Sequence, residues 1–347
     1  MKKRNVLALL LSLLLVLSGC GAGQTQTPPP AEEETAGQPE TREPAQPEGE
    51  QPIGEEGGTF RAAALRGPTA MGMVSMMAAD SLDSFTLAGS ADEITPLLIK
   101  GDLDIACVPA NLASVLYNKT EGQIVCLAVN TLGVLNIVEL GESVQSLADL
   151  KGKTIVSAGK GSTPEYGLRY LLKENGLDPD KDVTIDWKSE HSECVAALAS
   201  GAASIAMLPQ PFATAAKGKL PDLRVASDLT EEWAALDNGS AMITGVAAAR
   251  RDFVEEHPET VERFLKEYRA SVDWVNANTA EAGALIAELG ILESADMAAK
   301  ALPYCNIVCI TGAEQKEKLS GYLQVLADTE PASVGGALPG DDFFYGA

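Results

Sequence analysis

The sequence contains few of the side chains on which catalysis and metal binding usually depend. It has only two histidines, His191 and His257, and no Cys-x-x-Cys motif, so a zinc site is not expected. It also lacks the Gly-x-Ser-x-Gly motif of a hydrolase nucleophile elbow. Aromatic residues make up 5% of the chain, which disfavours a binding site built by ring stacking alone. These absences favour a binding protein over an enzyme.

Positive charge is also scarce. The chain has 26 Lys and Arg against 49 Asp and Glu, a formal net charge of -23. Nucleic-acid binding needs clustered cations to neutralise phosphates, so no nucleic-acid partner is expected. The acidic residues are unevenly distributed, however. None occurs from Phe60 to Ala79, between Ala106 and Thr120, or between Cys194 and Pro221.

The cysteines give no sign of a disulfide framework. The chain has six, one of them Cys20 in the leader. Cys107 and Cys126 lie in apolar runs typical of buried strands, so we expect packed, unreactive thiols. Cys305 and Cys309 could pair only if their local geometry allowed it.

The longest hydrophobic run lies at the N-terminus. Residues 1–20 combine a basic start, an apolar stretch and the small-residue sequence "LSGC", which ends at Cys20. The run is short for a membrane span, which needs roughly 20 residues. The pattern resembles a bacterial lipoprotein signal peptide, in which Cys20 carries the lipid (diacylglycerol, palmitate) and becomes the first mature residue. We therefore expect an exported, extracytoplasmic protein anchored by lipid to the outer face of the cell membrane.

Residues 21–58 consist mainly of Pro, Glu, Gln, Thr and Gly. Such a composition offers little apolar surface to bury, so it cannot offset the entropy lost on folding. We predict a disordered, extended linker between the lipid and the folded part. The remaining segment, from about Thr59 onward, is long enough to require more than one core.

From Thr59 onward, short β-branched runs alternate with helical stretches. "LDIACVP" precedes "ANLASVLYNK", for example, and "KTIVSAG" precedes "KGSTPEYGLRYLLKENG". This alternation predicts parallel sheets with helices on their faces. It occurs in two series and is followed by long helices, so the sequence predicts an α/β fold with two lobes.

Five phrases in this part resemble the type II periplasmic binding proteins of ABC importers, in the branch of nitrate, sulfonate and thiamine-precursor receptors. The resemblance implies two α/β lobes, joined by two crossover strands near residues 130–139 and 242–250, that close like a hinge. Residues 59–135 and 244–347 would form lobe I, and residues 136–243 lobe II. The phrases are "LIKGDLDIACVPAN", "SLADLKGKTI", "GKGSTPEYGLRYLLKENGLDPDKDVTI", "AALASGAASIAMLPQPFAT" and "VAAARRDFVEEHPETVERFLKEY".

The same resemblance implies what the protein does. A member of this family captures a small-molecule ligand and delivers it to an ABC permease with its cytoplasmic ATPase. It works as a monomer, needs no cofactor and performs no chemistry. A surface sensor or interaction module that has kept the fold without transport is the alternative, and the sequence does not separate the two.

The fold predicts where the ligand lies. In open parallel sheets, ligands bind beyond the carboxyl ends of the strands, where the following helices present free N–H groups. The loops at these positions supply the candidate ligand-binding residues. They are Arg66, Gly67, Pro68, Thr69, Met71, Asp92, Asn111, Asn130, Thr131, Lys160, Gly161, Ser162, Thr163, Tyr166, His191, Gln210 and Phe212.

The helix starts in these loops differ in their capping residues. "SADE" and "STPE" pair Ser90 with Glu93 and Ser162 with Glu165, as in a capping box that satisfies the helix's own amides. "LRGPTAMGMV" offers only Thr69 as a cap and contains no carboxylate. A ligand with a carboxylate, sulfonate or phosphate group would gain from such a helix start and from Arg66.

The sequence is also compatible with burial of these segments or with a neutral ligand. The carboxylate-free segments could be uncharged simply because they are buried. A neutral planar ligand, such as a pyrimidine or a thiamine precursor, could instead stack on Tyr166, Phe212 or Trp187 and bond to Asn111, Asn130 or Gln210. A dinucleotide site is disfavoured, because Pro164 stands where "GKGSTP" would need its third glycine.

Overall fold

The computed structural model describes residues 58–79 and 82–347. The predicted signal peptide, the lipidated Cys20 and nearly all of the predicted linker lie outside these described residues. The described residues belong to one compact unit. In this part of the chain, no helix is both long enough and apolar enough to cross a membrane.

Two separate β-sheets organise the chain. The first has the order β11-β4-β10-β3-β1-β2 and the second the order β7-β6-β8-β5-β9. We call each sheet with its helices a lobe, lobe I for the first sheet and lobe II for the second. The strands of lobe I are β1 (Arg61–Leu65), β2 (Ser84–Ala88), β3 (Ile105–Pro109), β4 (Ile124–Leu132), β10 (Ile243–Arg250) and β11 (Ile307–Ile310), and those of lobe II are β5 (Leu135–Leu140), β6 (Thr154–Ala158), β7 (Thr184–Lys188), β8 (Ile205–Pro209) and β9 (Leu223–Asp228).

The expectation of parallel sheets holds only for part of each sheet. β1 runs parallel to β2 and β3, and β6 runs parallel to β7 and β8. β10 is antiparallel to β3 and β4, and β5 is antiparallel to β8 and β9. The antiparallel strands are those by which the chain changes sheets, since β4 leads directly into β5 and β10 brings the chain back to lobe I.

Helices follow most of the strands, as the alternating pattern predicts. Helices α1 to α4 and α9 to α13 belong to the sequence of lobe I, and α5 to α8 to that of lobe II. Their bounds are α1 (Pro68–Met71), α2 (Val74–Ala78), α3 (Ala91–Lys100), α4 (Ala110–Lys119), α5 (Thr163–Glu174), α6 (His191–Ala199), α7 (Phe212–Lys219), α8 (Leu229–Ala235), α9 (Arg251–Glu256), α10 (Pro258–Ala277), α11 (Thr279–Glu288), α12 (Ala295–Ala301) and α13 (Gly312–Thr329).

The sheet of lobe I is covered by apolar packing on both faces. Within β1, Ala63 belongs to one buried cluster, whereas Ala62 and Ala64 belong to another. Successive side chains of a strand point to opposite faces, so the three alanines mark both faces as core. Small side chains in this strand allow the covering helices to approach the sheet closely.

Helix α13 joins the packing of the two lobes. It packs against α4 and β4 of lobe I and also against α5 of lobe II. Between them lies Trp233 of α8, which is fully buried, with ring centroids 4.7 Å from Tyr170 and 5.4 Å from Tyr322. The indole Nε1 of Trp233 donates a hydrogen bond to the Ser240 hydroxyl at 2.9 Å. This aromatic cluster connects the lobes at a third place, besides the two strand crossovers.

The five cysteines in the described residues are all buried, and none forms a disulfide. Burial raises the pKa of Cys107, Cys126 and Cys305 to about 12 and that of Cys194 and Cys309 to about 11. Thiols with such pKa values are protonated at neutral pH and are poor nucleophiles. This agrees with the expectation of packed, unreactive thiols.

Candidate functional site

Two adjoining cavities lie between the lobes. The inner cavity has a volume of about 190 Å³ and the outer cavity about 1010 Å³. Residues that line both mark the boundary between them, among them Arg66, Ser162, His191 and Phe212. Thr244, from β10, lines only the inner cavity.

Both cavities are lined mainly by segments that follow parallel strands. The loops after β1, β3, β6 and β8 contribute to the inner cavity, and the loops after β2 and β7 contribute to the outer one. This is the position at which open parallel sheets bind ligands. The geometry therefore makes the two cavities the candidate site.

Most of the residues predicted from the sequence line these cavities. Met71, Asn130 and Thr131 do not, and each is fully buried. Contact of the others with a ligand stays a prediction. Those that line one or both cavities are Arg66, Gly67, Pro68, Thr69, Asp92, Asn111, Lys160, Gly161, Ser162, Thr163, Tyr166, His191, Gln210 and Phe212.

Met71 lies in the core rather than at the cleft. Helix α1 is a single turn from Pro68 to Met71, and its last residue packs in the same buried cluster as Met73 and Tyr268. Helix α1 packs against β1, β3, β4 and β11, so the apolar side chain at its end is covered. Placing Met71 at the cavity wall on sequence grounds was wrong.

Asn130 and Thr131 are buried because β4 is not an edge strand. It lies between β10 and β11 in the sheet of lobe I, and both neighbours are antiparallel to it. The rule that ligands lie beyond the ends of parallel strands therefore does not apply to β4. Its chain continues into β5 instead of ending in a loop.

Sequence reasoning missed part of the inner cavity. Val134 and Leu135 come from the crossover into lobe II, and Thr244 from the strand that returns. A signal was available, because the predicted crossovers included these residues. The prolines Pro109, Pro164, Pro209 and Pro211, which also line the inner cavity, were not singled out as contacts.

Around the outer cavity, helix starts are satisfied by their own glutamates. In α3, the carboxylate of Glu93 accepts the N–H of Gly89 at 3.1 Å and that of Ser90 at 2.9 Å. In α6, Glu193 accepts the N–H of Ser189 at 3.0 Å. Each carboxylate occupies donors that an anionic ligand would otherwise use.

The start of α5 differs from the predicted capping box. Glu165 does reach back, but its carboxylate accepts the N–H of Gly161 at 2.7 Å. The Ser162 hydroxyl donates to the carbonyl of Gly159 at 2.8 Å. Gly159 and Gly161 both adopt positive φ, which turns the chain tightly before the helix, so the N–H that donates to Glu165 is that of Gly161, one residue before the expected Ser162.

Three of the helix starts around the inner cavity carry no carboxylate, whereas α5 and α6, whose first residues also line it, have Glu165 and Glu193 in their first turns. Helices α1, α4 and α7 have no acidic residue in the first turn, and α4 and α7 begin directly after Pro109 and Pro211. Pro68 is the first residue of α1. The three carboxylate-free segments seen in the sequence thus form part of the wall of the inner cavity, beside the starts of α5 and α6.

Among the described residues that line the inner cavity, there is a positive charge and no negative charge. Among the described residues that line it, Arg66 is the only one with a formal charge at neutral pH. One guanidinium nitrogen of Arg66 donates to the carbonyl of Gly290, just beyond the end of α11. His191 is neutral, because burial lowers its pKa to about 4, and its ring lies 5.3 Å from that of Phe212. The cavity therefore has one positive group and no negative one.

We expect His191 to make stability depend on pH between about 4 and 6.5. Its pKa falls from 6.5 in the unfolded chain to about 4 in the folded protein because burial disfavours the charged ring. As pH drops through this window, the unfolded state takes up a proton that the folded state does not, so stability falls. Through His191, the folded protein is about 1 to 3 kcal/mol more stable above pH 6.5 than near pH 4.

Chemical denaturation at several pH values measures this slope. His191→Gln should flatten it relative to the original protein. His257→Gln serves as the matched control, since His257 is exposed and lies outside both cavities. Equal slopes in the two variants would show that His191 is not buried as a neutral ring.

Two α/β lobes joined by crossover strands, with a cavity between the ends of their parallel strands, define a two-lobed solute-binding protein. The family model for the ABC transporter phosphonate periplasmic substrate-binding proteins matches residues 84–293. The chain belongs to this family. Its members are binding proteins, which agrees with the expectation that the chain is not an enzyme.

Individual relatives match this chain at low sequence identity. A protein of Brucella abortus (strain 2308), named only as a binding protein, is 27% identical over 225 residues, which cover 65% of this chain and 64% of the relative. The match thus spans less than two thirds of the relative's length.

Solved structures show the same fold. An ABC transporter protein from Parabacteroides distasonis superimposes with a TM-score of 0.69 at 23% identity, covering 82% of this chain and 98% of the other. The aliphatic sulphonate binding protein SsuA from Escherichia coli gives a TM-score of 0.64 at 18% identity, covering 78% and 85%. The α/β fold expected from the resemblance is confirmed.

Proposed function

We propose that the protein captures a small organic anion in the inner cavity and delivers it to an ABC permease with its cytoplasmic ATPase. One observation carries the ligand class: among the described residues, those that line the inner cavity include Arg66 and no carboxylate. The remaining wall is largely apolar, with prolines, Leu65, Val134 and Phe212. Such a wall suits a ligand with an apolar body and one negative group.

The position of Arg66 fits this assignment. It lies at the boundary of the two cavities, where an anionic group of an enclosed ligand would still meet part of the outer, more polar space. A hydrogen bond from a guanidinium to an anion is worth about 1.5 to 3 kcal/mol, and two parallel bonds are possible. A second anionic group would have no cationic partner in the inner cavity.

A contact between the lobes supports enclosure of the ligand. The Thr163 hydroxyl of α5 donates to the Asn111 carboxamide oxygen of α4 at 3.3 Å, and both side chains are buried. The other end of the Asn111 carboxamide donates to the carbonyl of Ser333 at 3.1 Å. Because this bond joins lobe I to lobe II beside the cavities, it favours the closed arrangement.

The proposal includes the place of action. A lipid on Cys20 would hold the protein at the outer face of the membrane, and residues 21–58 would let the folded part reach the permease. The acidic, Pro-rich composition of this linker supports an extended spacer.

A thermal-shift screen of the detergent-solubilised, full-length protein tests the ligand class. Sulfonates, carboxylates and phosphonates form one arm, and neutral pyrimidines and vitamins the other; the sulphonate-binding fold relative is a reason to include sulfonates. We expect organic anions to raise the melting temperature, since ligand at about 100 times its dissociation constant adds about 2.7 kcal/mol of stability. Stabilisation by neutral pyrimidines alone would contradict the proposal.

A further inference from the structure

A group of buried polar side chains lies where β4 and β10 pair, behind the inner cavity. Asn130 has no exposed surface, and neither its nitrogen nor its oxygen has a hydrogen-bond partner among the described residues. The Thr244 hydroxyl is likewise buried without a partner in this part of the chain, and Thr244 lines the inner cavity. Buried polar groups are rarely left in this state, so each requires a physical reason.

Both residues lie at irregularities in the strand pairing. Val129 pairs with Val246 and Thr131 with Gly245, so Asn130 has no residue directly opposite. Leu132 pairs with Ile243, which leaves Thr244 unopposed in the same way. Such bulges re-aim side chains and are frequent next to binding sites.

Gly245 brings Asn130 close to the cavity wall. A Cβ atom at Gly245 would lie 2.5 Å from the Asn130 oxygen and 2.8 Å from the Thr69 methyl carbon, so no larger residue fits without movement. The Thr69 hydroxyl donates to the carbonyl of Leu65 at 2.9 Å, and Thr69 itself lines the inner cavity. The carboxamide is therefore next to a side chain of the wall.

A structural role does not account for the carboxamide. A polar neighbour of the Asn130 carboxamide is the Cys107 thiol, a weak hydrogen-bonding group. Burial raises the pKa of this thiol to about 12, and the neighbouring Asn130 only partly opposes the effect. A leucine would fill a similar volume without leaving polar atoms unpaired.

We propose that Asn130 and Thr244 form a polar inner end of the ligand site, which binds an uncharged group carrying both a hydrogen-bond donor and an acceptor. The inference rests on the proposed function, in which Arg66 holds an anionic group at the boundary with the outer cavity. The ligand then has three parts: an anionic group, an apolar middle, and a carboxamide or similar neutral group at the inner end. Contact between this neutral group and the buried Asn130 carboxamide requires Thr69 to move, because the Thr69 methyl carbon and the Asn130 oxygen both lie against Gly245.

Matched pairs of carboxylates test the inner end. Each pair shares its apolar body and differs at the far end, as in 4-carbamoylbenzoate against 4-methylbenzoate and glutaramate against valerate. We expect the full-length protein to bind the carboxamide member of at least one pair about tenfold more tightly, measured by calorimetry. Asn130→Leu and Thr244→Val should each remove this preference while binding of the methyl compounds persists.

Thermal stability without ligand separates a binding role from a structural one. Asn130→Leu should leave the melting temperature equal or higher, because it removes two unpaired polar atoms from the interior. Ser271→Ala is the matched control: its hydroxyl is also buried without a partner among the described residues, but it lies on α10 outside both cavities. This control should keep the preference for the carboxamide compounds.

The outcomes distinguish the two proposals. Equal binding of both members of every pair, or an unchanged preference in Asn130→Leu and Thr244→Val, would overturn the polar inner end and leave the anion site standing. A large loss of stability in Asn130→Leu would also overturn it, since that loss would assign the carboxamide to the fold. No binding of these carboxylates, together with no stabilisation by any organic anion in the thermal-shift screen, would overturn both proposals.

Discussion

Replacing Arg66 with glutamate is expected to abolish the binding of organic anions. The substitution removes the only charged side chain among the described residues of the inner cavity wall and introduces a negative charge in its place. The lost hydrogen bonds to an anion are worth about 1.5 to 3 kcal/mol, and repulsion adds to this loss. Calorimetry should therefore show an affinity at least about 100-fold lower, and ligand-induced thermal stabilisation should disappear.

The variant must be compared with its own ligand-free state. Arg66 also donates to the Gly290 carbonyl near the end of α11, where a glutamate would face the negative end of the helix. This change costs roughly 0.3 to 1 kcal/mol of stability without ligand.

Lys266→Glu makes the same change in net charge on an exposed part of α10, away from both cavities. It should leave binding intact. If Arg66→Glu still responds to the anions that stabilise the original protein, Arg66 is not part of the site.

Replacing Cys20 with serine is expected to release the protein from the membrane. Only the thiol of Cys20 can receive the lipid, and one or more acyl chains supply most of the membrane affinity, at about 0.8 kcal/mol for each buried methylene. Fractionation of cells that express the variant should find the protein in the soluble extracytoplasmic fraction.

The mass of the variant shows whether its leader has been cleaved. Cys309→Ser provides a control, since this buried thiol lies in β11 and has no part in anchoring. A Cys20→Ser protein that is cleaved at the same site and yet stays with the membrane would show that lipid on Cys20 is not the anchor.

The sequence was sufficient for the local features of the site. The strand ends of β1, β3, β6 and β8 and the loops after them could be located because each short apolar run is followed by a helical pattern. The carboxylate-free segments also proved informative, since the helices that they start surround the inner cavity. The alternative that these segments are simply buried is true of Met71 but not of Arg66, which is exposed.

What the sequence could not supply is the pairing between distant segments. The residues of β10 that pair with β4 lie more than a hundred positions further along the chain. The sequence of neither strand indicates that the other is its partner. For this reason the burial of Asn130 could not be foreseen. Thr244 lay within a predicted crossover, but its place in the cavity wall was not predicted. The prediction of a capping box at the start of α5 was wrong for a local reason. Two glycines with positive φ precede the helix, and Glu165 accepts the N–H of Gly161 instead of that of Ser162.

The aromatic cluster around Trp233 has an optical consequence. The chain has three tryptophans, and Trp233 is the one that is fully enclosed, between Tyr170 of lobe II and Tyr322 of the bridging helix α13. Tyr170 belongs to the same lobe as Trp233, whereas Tyr322 lies on α13, which also packs on lobe I, so a rotation of one lobe against the other changes the surroundings of this indole through Tyr322. The emission of Trp233 is thus an intrinsic probe of opening and closing, and it requires no attached dye.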